Sequence, residues 1–156
     1  MNSGRRAQRG ISFIEVLIAF AVTCIFLAAT LPAHRDSLIR DRVGASIQGA
    51  EAARKALLKA CIQDDQAVVT SNRDAGYAHQ PPHDSDDHIS QIELSANCAD
   101  NTLLVMIWTA RTGARVSPVI ALSADGTGHG ESWRCLLVEG DLRHVPSSCR
   151  MPVVES

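Results

Sequence analysis

No Walker motif, no nucleophile elbow and no HExxH pair occurs in this chain of 156 residues. Their absence removes the usual short signatures of phosphate cradling, acyl transfer and zinc-assisted hydrolysis. No CxxC and no Cys/His zinc spacing is present either, so the five cysteines do not read as a structural metal knot. The run Gly126-Thr127-Gly128-His129-Gly130 follows a strand pattern, but no helix pattern follows it, so it reads as a turn and not a phosphate loop. A calcium-loop pattern is not met. Broad basicity is also missing: 15 Lys and Arg stand against 17 Asp and Glu, with a formal charge of -2 and a pI of about 6.3. That balance argues against a broadly basic nucleic-acid surface. Charge is scarcest across residues 11–33, where Glu15 is the only charged side chain.

That uncharged stretch is long enough to cross a hydrocarbon core of ~30 Å as a helix. Arg5, Arg6 and Arg9 stand just before it. By the positive-inside rule they stay cytoplasmic, and the bulk of the chain lies on the far side of the membrane. Glu15 is the informative residue, because a carboxylate inside an apolar helix costs roughly 2.5–3.5 kcal/mol on insertion scales and such a group usually has a partner. Ile11 lies four residues before it and follows Gly10 and the basic leader. A cut after Gly10 would give Ile11 a free ammonium at the start of the helix. The Glu15 of a neighbouring subunit could then pair with that ammonium, and association in lipid would relieve both buried charges.

Beyond Pro32, which kinks or loosens a helix because it removes a hydrogen bond and crowds the preceding turn, the helical pattern continues. Ile39, Val43, Ile47, Ala50, Leu57 and Cys61 recur at helical spacings, while Asp36, Arg40, Asp41, Glu51, Arg54, Lys55 and Lys59 occupy the other face. Glu51 and Lys55 form an i,i+4 pair. One long helix over residues 11–63 is therefore expected, apolar all round at first and one-sided later. Residues 64–88 have loop composition, with Tyr77 as an anchor to the body. Strands are expected at residues 89–95, 102–109, 116–123 and 133–138, with Pro118 near the start or at an edge of the third, and Trp133, Cys135 and Leu137 on one face of the fourth. The fold class is thus α+β: a long N-terminal helix packed on a four-stranded antiparallel sheet. Cys24 lies in the apolar helix and packs as a small hydrophobe. Cys61, Cys98, Cys135 and Cys149 fall in the exported part, where an oxidising compartment suggests two disulfides in any of three connectivities.

A basic leader, Gly10, an apolar Ile11, Glu15 four residues on and an unbroken apolar helix with Pro32 late in it resemble the class III signal of type IV pilins. At the other end, Trp133-Arg134-Cys135 followed by Val145-Pro146-Ser147-Ser148-Cys149-Arg150 is similar to the disulfide-bonded C-terminal loop of type IVa pilins. The resemblance implies a cleaved leader at residues 1–10, a transmembrane and polymerisation half-helix at 11–33, and a head at 34–156. The head divides into helix 34–63, loop 64–88, sheet 89–138 and closed C-terminal region 139–156. It implies that prepilin peptidase cuts after Gly10 and N-methylates Ile11, that Glu15 assists docking, and that Pro32 allows bending. In that pattern Cys135 pairs with Cys149, closing a loop of about 15 residues worth ~3 kcal/mol in the chain-entropy model, and Cys61 is left for Cys98. Other pilins, the peptidase, an inner-membrane assembly platform and the membrane itself are the implied partners. The implied location is the inner membrane and then an extracellular pilus, and the implied roles are adhesion, twitching motility or DNA uptake. Two departures stand out. Ile11 replaces the usual Phe, and Cys24 replaces a glycine found in many major pilins.

Several other readings share these residues. A plain single-span anchor accounts for the apolar run but not for Gly10 or Glu15. A secretory signal peptide could end near Leu31-Pro32-Ala33, against which Glu15 stands at the start of the apolar region. His79, His83 and His88 with Asp84, Asp86 and Asp87 have metal-ligand chemistry, yet their spacing fits no defined site and Pro81-Pro82 breaks any helix that would align them; the reading is a solvated loop, with no metal or cofactor expected. Arg111, Arg115, Arg134, Arg143 and Arg150 could form a local basic face toward DNA phosphates, or a solvated mixture of charges. No catalytic constellation is present, so an enzyme is not expected. The alternatives to a pilus subunit are a type II secretion pseudopilin and a minor pilin that binds DNA.

Overall fold

The computed structural model describes residues 12–78, 88–124 and 132–150. It divides into two compact units, residues 1–35 and residues 36–156. The elements run α1 (Phe13–Gly49), α2 (Glu51–Gln63), β1 (Val68–Val69), β2 (Ile89–Asn97), β3 (Thr102–Thr109), β4 (Val119–Ala124) and β5 (Trp133–Glu139), then two 3-10 turns at Leu142–His144 and Ser147–Cys149.

The helix and the sheet meet along one stripe. Ile39, Val43, Ser46, Ala50, Ala53 and Leu57 are buried, spaced alternately four and three residues apart, which keeps them on one side of a 3.6-residue turn. Ile47 and Cys61, expected on that face, are only partly buried beside it. Ser46 occupies the stripe because its hydroxyl is satisfied there, donating to the carbonyls of Arg42 at 3.1 Å and His88 at 3.2 Å. A single turn residue, Ala50, separates α1 from α2, where one helix was expected. Backbone bonding nevertheless continues across it, from Ala50 N to Ser46 O at 3.2 Å and from Arg54 N to Ala50 O at 3.0 Å.

The sheet is an antiparallel meander in the order β1-β2-β3-β4-β5. Five strands stand where four were expected. The added one is two residues long and falls in the segment read as loop. Val68 and Val69 pair with Asn97 and Ala96, and the amide of Cys98 donates to Ala67 O at 3.0 Å. A strand so short leaves no period to read. It forms because the end of α2 is held beside the end of β2 by the Cys61–Cys98 bond.

In β3, Leu103, Val105, Ile107 and Thr109 alternate inward. In β2, a register shift between Ile89 and Gln91 puts Ile89 and Ile92 on the same side, three residues apart; this bulge explains the weak alternation of that strand in the sequence. β4 begins at Val119, later than the expected residue 116, because Pro118 has no amide to lend to a ladder. The carbonyl of Pro118 is used instead, accepting from Thr109 N at 3.2 Å and Thr109 Oγ1 at 2.7 Å. Trp133, Cys135 and Leu137 of β5 pack against the core. Arg54 lies over the Trp133 ring, 5.6 Å from its centroid, so this tryptophan is half core and half a cation platform.

Candidate functional site

Two features carry the sequence signals: the apolar half of α1 and the covalently closed end of the head. In the first unit every described side chain from residue 12 to residue 35 is exposed. Phe13 is 78% and Phe20 is 69% exposed, and Ile14, Leu17, Ile25, Phe26 and Leu31 are similarly bare. By length and composition the helix that begins at Phe13 can cross a membrane. An apolar surface of this kind is stable only against lipid or other apolar helices.

The polar groups of this half-helix are handled internally. Thr23 Oγ1 donates to Ala19 O at 2.8 Å and Thr30 Oγ1 to Phe26 O at 3.0 Å. Each hydroxyl is thus satisfied by its own helix and adds no need for a partner. Pro32 lies within α1, and because its nitrogen carries no hydrogen, the carbonyl of Ala28 lacks its usual helical donor. Glu15 occupies the first turn of α1, where its amide donates to Ser12 O at 3.0 Å. Its carboxylate is the one charged side chain of the apolar stretch, and the positive end of the helix is a favourable place for it. Cys24 is an exposed free thiol on the same half-helix. Gly10 and Ile11, the residues of the cleavage signal, lie outside the described residues.

In the head, two disulfides join Cys61 to Cys98 and Cys135 to Cys149. The first ties the end of α2 to the turn after β2, and the second ties β5 to the last 3-10 turn. Cys149 is completely buried. The segment between them is further held to α1 by polar contacts that nothing in the sequence announced. Arg40 donates twice to Arg143 O, at 3.3 and 3.1 Å. His144, 9% exposed, meets Asp36 through Nε2 at 3.2 Å. Asp36 and His144 are 108 positions apart, and no local pattern links positions so distant.

The arginine group does not act as one free surface. Arg143 is engaged by Asp141 at 2.6 Å and lies 4.0 Å from Asp36. Its hydrogen bonds hold the Asp141 carboxyl down at about 2. Arg150 donates to Val145 O at 3.2 Å, and Arg134 points from β5 with interactions of its own. Arg111 and Arg115 are exposed on the β3–β4 connection. Arg111 has a φ of 54°. That connection is docked on α1 by Arg42, whose Nη1 donates to Thr112 O at 3.0 Å.

His79, His83, Asp84, Asp86 and Asp87 lie outside the described residues, as does the glycine-rich run 126–130 that was expected to turn. His88 is half-buried, and its carbonyl accepts from Ser46 and from Ala110 N at 2.8 Å. Among the described residues no three His, Cys, Asp or Glu side chains converge on a common point. Glu51 and Lys55 meet at 2.6 Å, both exposed.

Comparison with known proteins adds two findings. Residues 5–31 match the family described as the prokaryotic N-terminal methylation motif. Over 92% of this chain and 94% of its own length, a type IV major pilin protein PilE1 of Neisseria gonorrhoeae is 24% identical. Over 94% of this chain and 93% of its own length, the fimbrial protein EcpC of Eikenella corrodens is 23% identical. The similarity therefore reaches both the apolar helix and the head.

Proposed function

We propose that this chain, a member of the type IV pilin family by its amino-terminal motif and its relatives over most of its length, is a structural pilus subunit that works without catalysis. The observation that carries the reading is the bare apolar half of α1 with a single carboxylate in its first turn. The chain is made as a precursor, held in the inner membrane by residues 11–33 and cut after Gly10 by prepilin peptidase, which also methylates Ile11. Subunits then leave the membrane by way of an assembly platform and bundle through these half-helices. Lipid and neighbouring helices are equally apolar, so transfer between them changes little in hydrophobic energy. What selects the docked position is Glu15, whose carboxylate meets the new ammonium of a neighbour's Ile11. A buried ion pair of this kind is favourable chiefly because each charge alone in the apolar medium costs several kcal/mol.

The missing donor at Pro32 supports a local loosening of the helix in the bundle. The closed C-terminal region supports a pilus subunit over a secretion pseudopilin. Adhesion, twitching motility or DNA uptake is then the work of the head on the filament surface.

The test is the mass and N-terminal sequence of the protein from its native membrane fraction, together with the variant Glu15→Ala. The expected results are a start at Ile11 carrying one extra methyl group, and a variant that stays in the membrane but assembles poorly or not at all. A start at His34, an intact Met1, or normal assembly of Glu15→Ala would each overturn the reading.

A further inference from the structure

The edges of an antiparallel sheet carry unpaired amides and carbonyls, and an open edge is a template for another strand. Here β2 lies next to the short β1, which pairs only with Ala96 and Asn97. The next stretch of that edge, around Ile92 and Leu94, faces no strand among the described residues. A side chain stands there in place of one. Asn72 Nδ2 donates to the carbonyl of Ile92 at 2.6 Å, and Asn72 Oδ1 accepts from the amide of Leu94 at 2.9 Å. One carboxamide thus supplies a donor and an acceptor at the spacing at which a neighbouring backbone would offer them.

The turn that presents Asn72 is built to hold it. Asp74 accepts from Thr70 N at 3.1 Å and from Thr70 Oγ1 at 3.0 Å. The amide of Tyr77 returns to Asn72 O at 2.8 Å, and Gly76 closes the turn with a φ of 63°, a conformation glycine adopts at no steric cost. Ala75 is buried under it. Beside the plug lies an open groove of about 990 Å³ lined by Asn72, Asp74, Gln91, Glu93, Leu104 and Met106, so the outward face of β2 and β3 next to this turn is uncovered.

We propose that Asn72 is a strand-mimicking plug, which occupies the hydrogen-bonding groups of β2 and so keeps the sheet edge of one subunit from pairing with the edge of a second copy of this chain. Such a device matters for a protein held at high local density, because edge pairing competes with any ordered association. Glu93 adds to it: two β2 edges meeting antiparallel about this point would bring like charges together.

The test uses the full chain in detergent micelles, comparing the parent with Asn72→Leu by amide hydrogen exchange and by sedimentation over a range of protein concentrations. In the variant the Leu94 amide should exchange about five- to twelvefold faster at low concentration, as expected for loss of one hydrogen bond of roughly 1–1.5 kcal/mol, while Val105 in the central strand is unchanged. At higher concentration self-association beyond that of the parent should appear, with protection returning at Leu94. Asn72→Asp sets a carboxylate oxygen against the Ile92 carbonyl where the donor stood, so its Leu94 amide should lose protection as well; this gives a second reading even if Asn72→Leu folds poorly. Unchanged exchange at Leu94 in either variant, or faster exchange in Asn72→Leu without added association, would overturn the proposal.

Discussion

Removing the Cys61–Cys98 disulfide should cost this head more than any other change confined to its α2–β2 end. The bond closes a loop of 37 positions. In the chain-entropy treatment that constraint on the unfolded chain is worth about 4 kcal/mol, against a total stability of roughly 5–15 kcal/mol for an ordinary domain. The folded state loses something as well. β1 has two paired residues, too few to persist alone, and the Ala67–Cys98 hydrogen bond lies immediately beside the disulfide. Without the covalent tie, β1 and the turn that follows it should detach before the rest of the sheet. The measurement is urea unfolding of the double variant Cys61→Ala/Cys98→Ala in mild detergent, followed by the fluorescence of Trp108 and Trp133. With an m-value of about 1.5 kcal/mol/M the midpoint should fall by about 2.5 M. A fall of less than about 0.5 M, equivalent to under 1 kcal/mol at that slope, would mean that the unfolded chain gains little freedom when the loop is opened and that the bond is not a main support of this end.

Gly140 and Gly76 should differ sharply when each is changed to alanine. Gly140 has a φ of 116°, and an added Cβ would lie 3.1 Å from the Pro118 Cα; strain of this kind costs on the order of 1–3 kcal/mol. Gly76 has a φ of 63° with open space around it, so its cost should be the smaller, and chemical denaturation of the two variants side by side checks the order. Acid should weaken the C-terminal region through Asp141, whose carboxyl is lowered from 3.8 to about 2 by hydrogen bonds from Arg143. A depressed carboxyl stabilises the folded state fully above its unfolded value and ceases to do so as pH falls through its folded value. Thermal unfolding between pH 5 and pH 2 should therefore show a loss from about pH 4 down to about pH 2 that is shallower in Asp141→Asn. Asp74, lowered by its bonds to Thr70, acts in the same direction.

How far the chain could be read without its structure differs from one element to the next. The apolar half-helix is a property of composition alone. One charged residue between residues 11 and 33 forces a lipid or bundle environment, and the place of Glu15 within that run singles it out. The alternation of Leu103, Val105 and Ile107 marks β3, because a strand with one face on a core has period two whatever packs on it. The helix stripe was legible for the same reason, although Ser46 sits in it against its polarity. Its two acceptors, at Arg42 and His88, exist only once β2 is folded beside α1.

Long-range partners were not legible. β1 has no period to display and is defined by β2 and a disulfide. The Asp36–His144 contact, the Arg40 bonds to Arg143 O and the Asn72 plug join residues that share no local spacing. Where each segment places its apolar surface could be read from residue order alone, since that follows from the periods of helix and strand. Which polar groups meet became visible with the folded head, because a hydrogen bond depends on distances of a few ångströms that are set by packing across the whole of it.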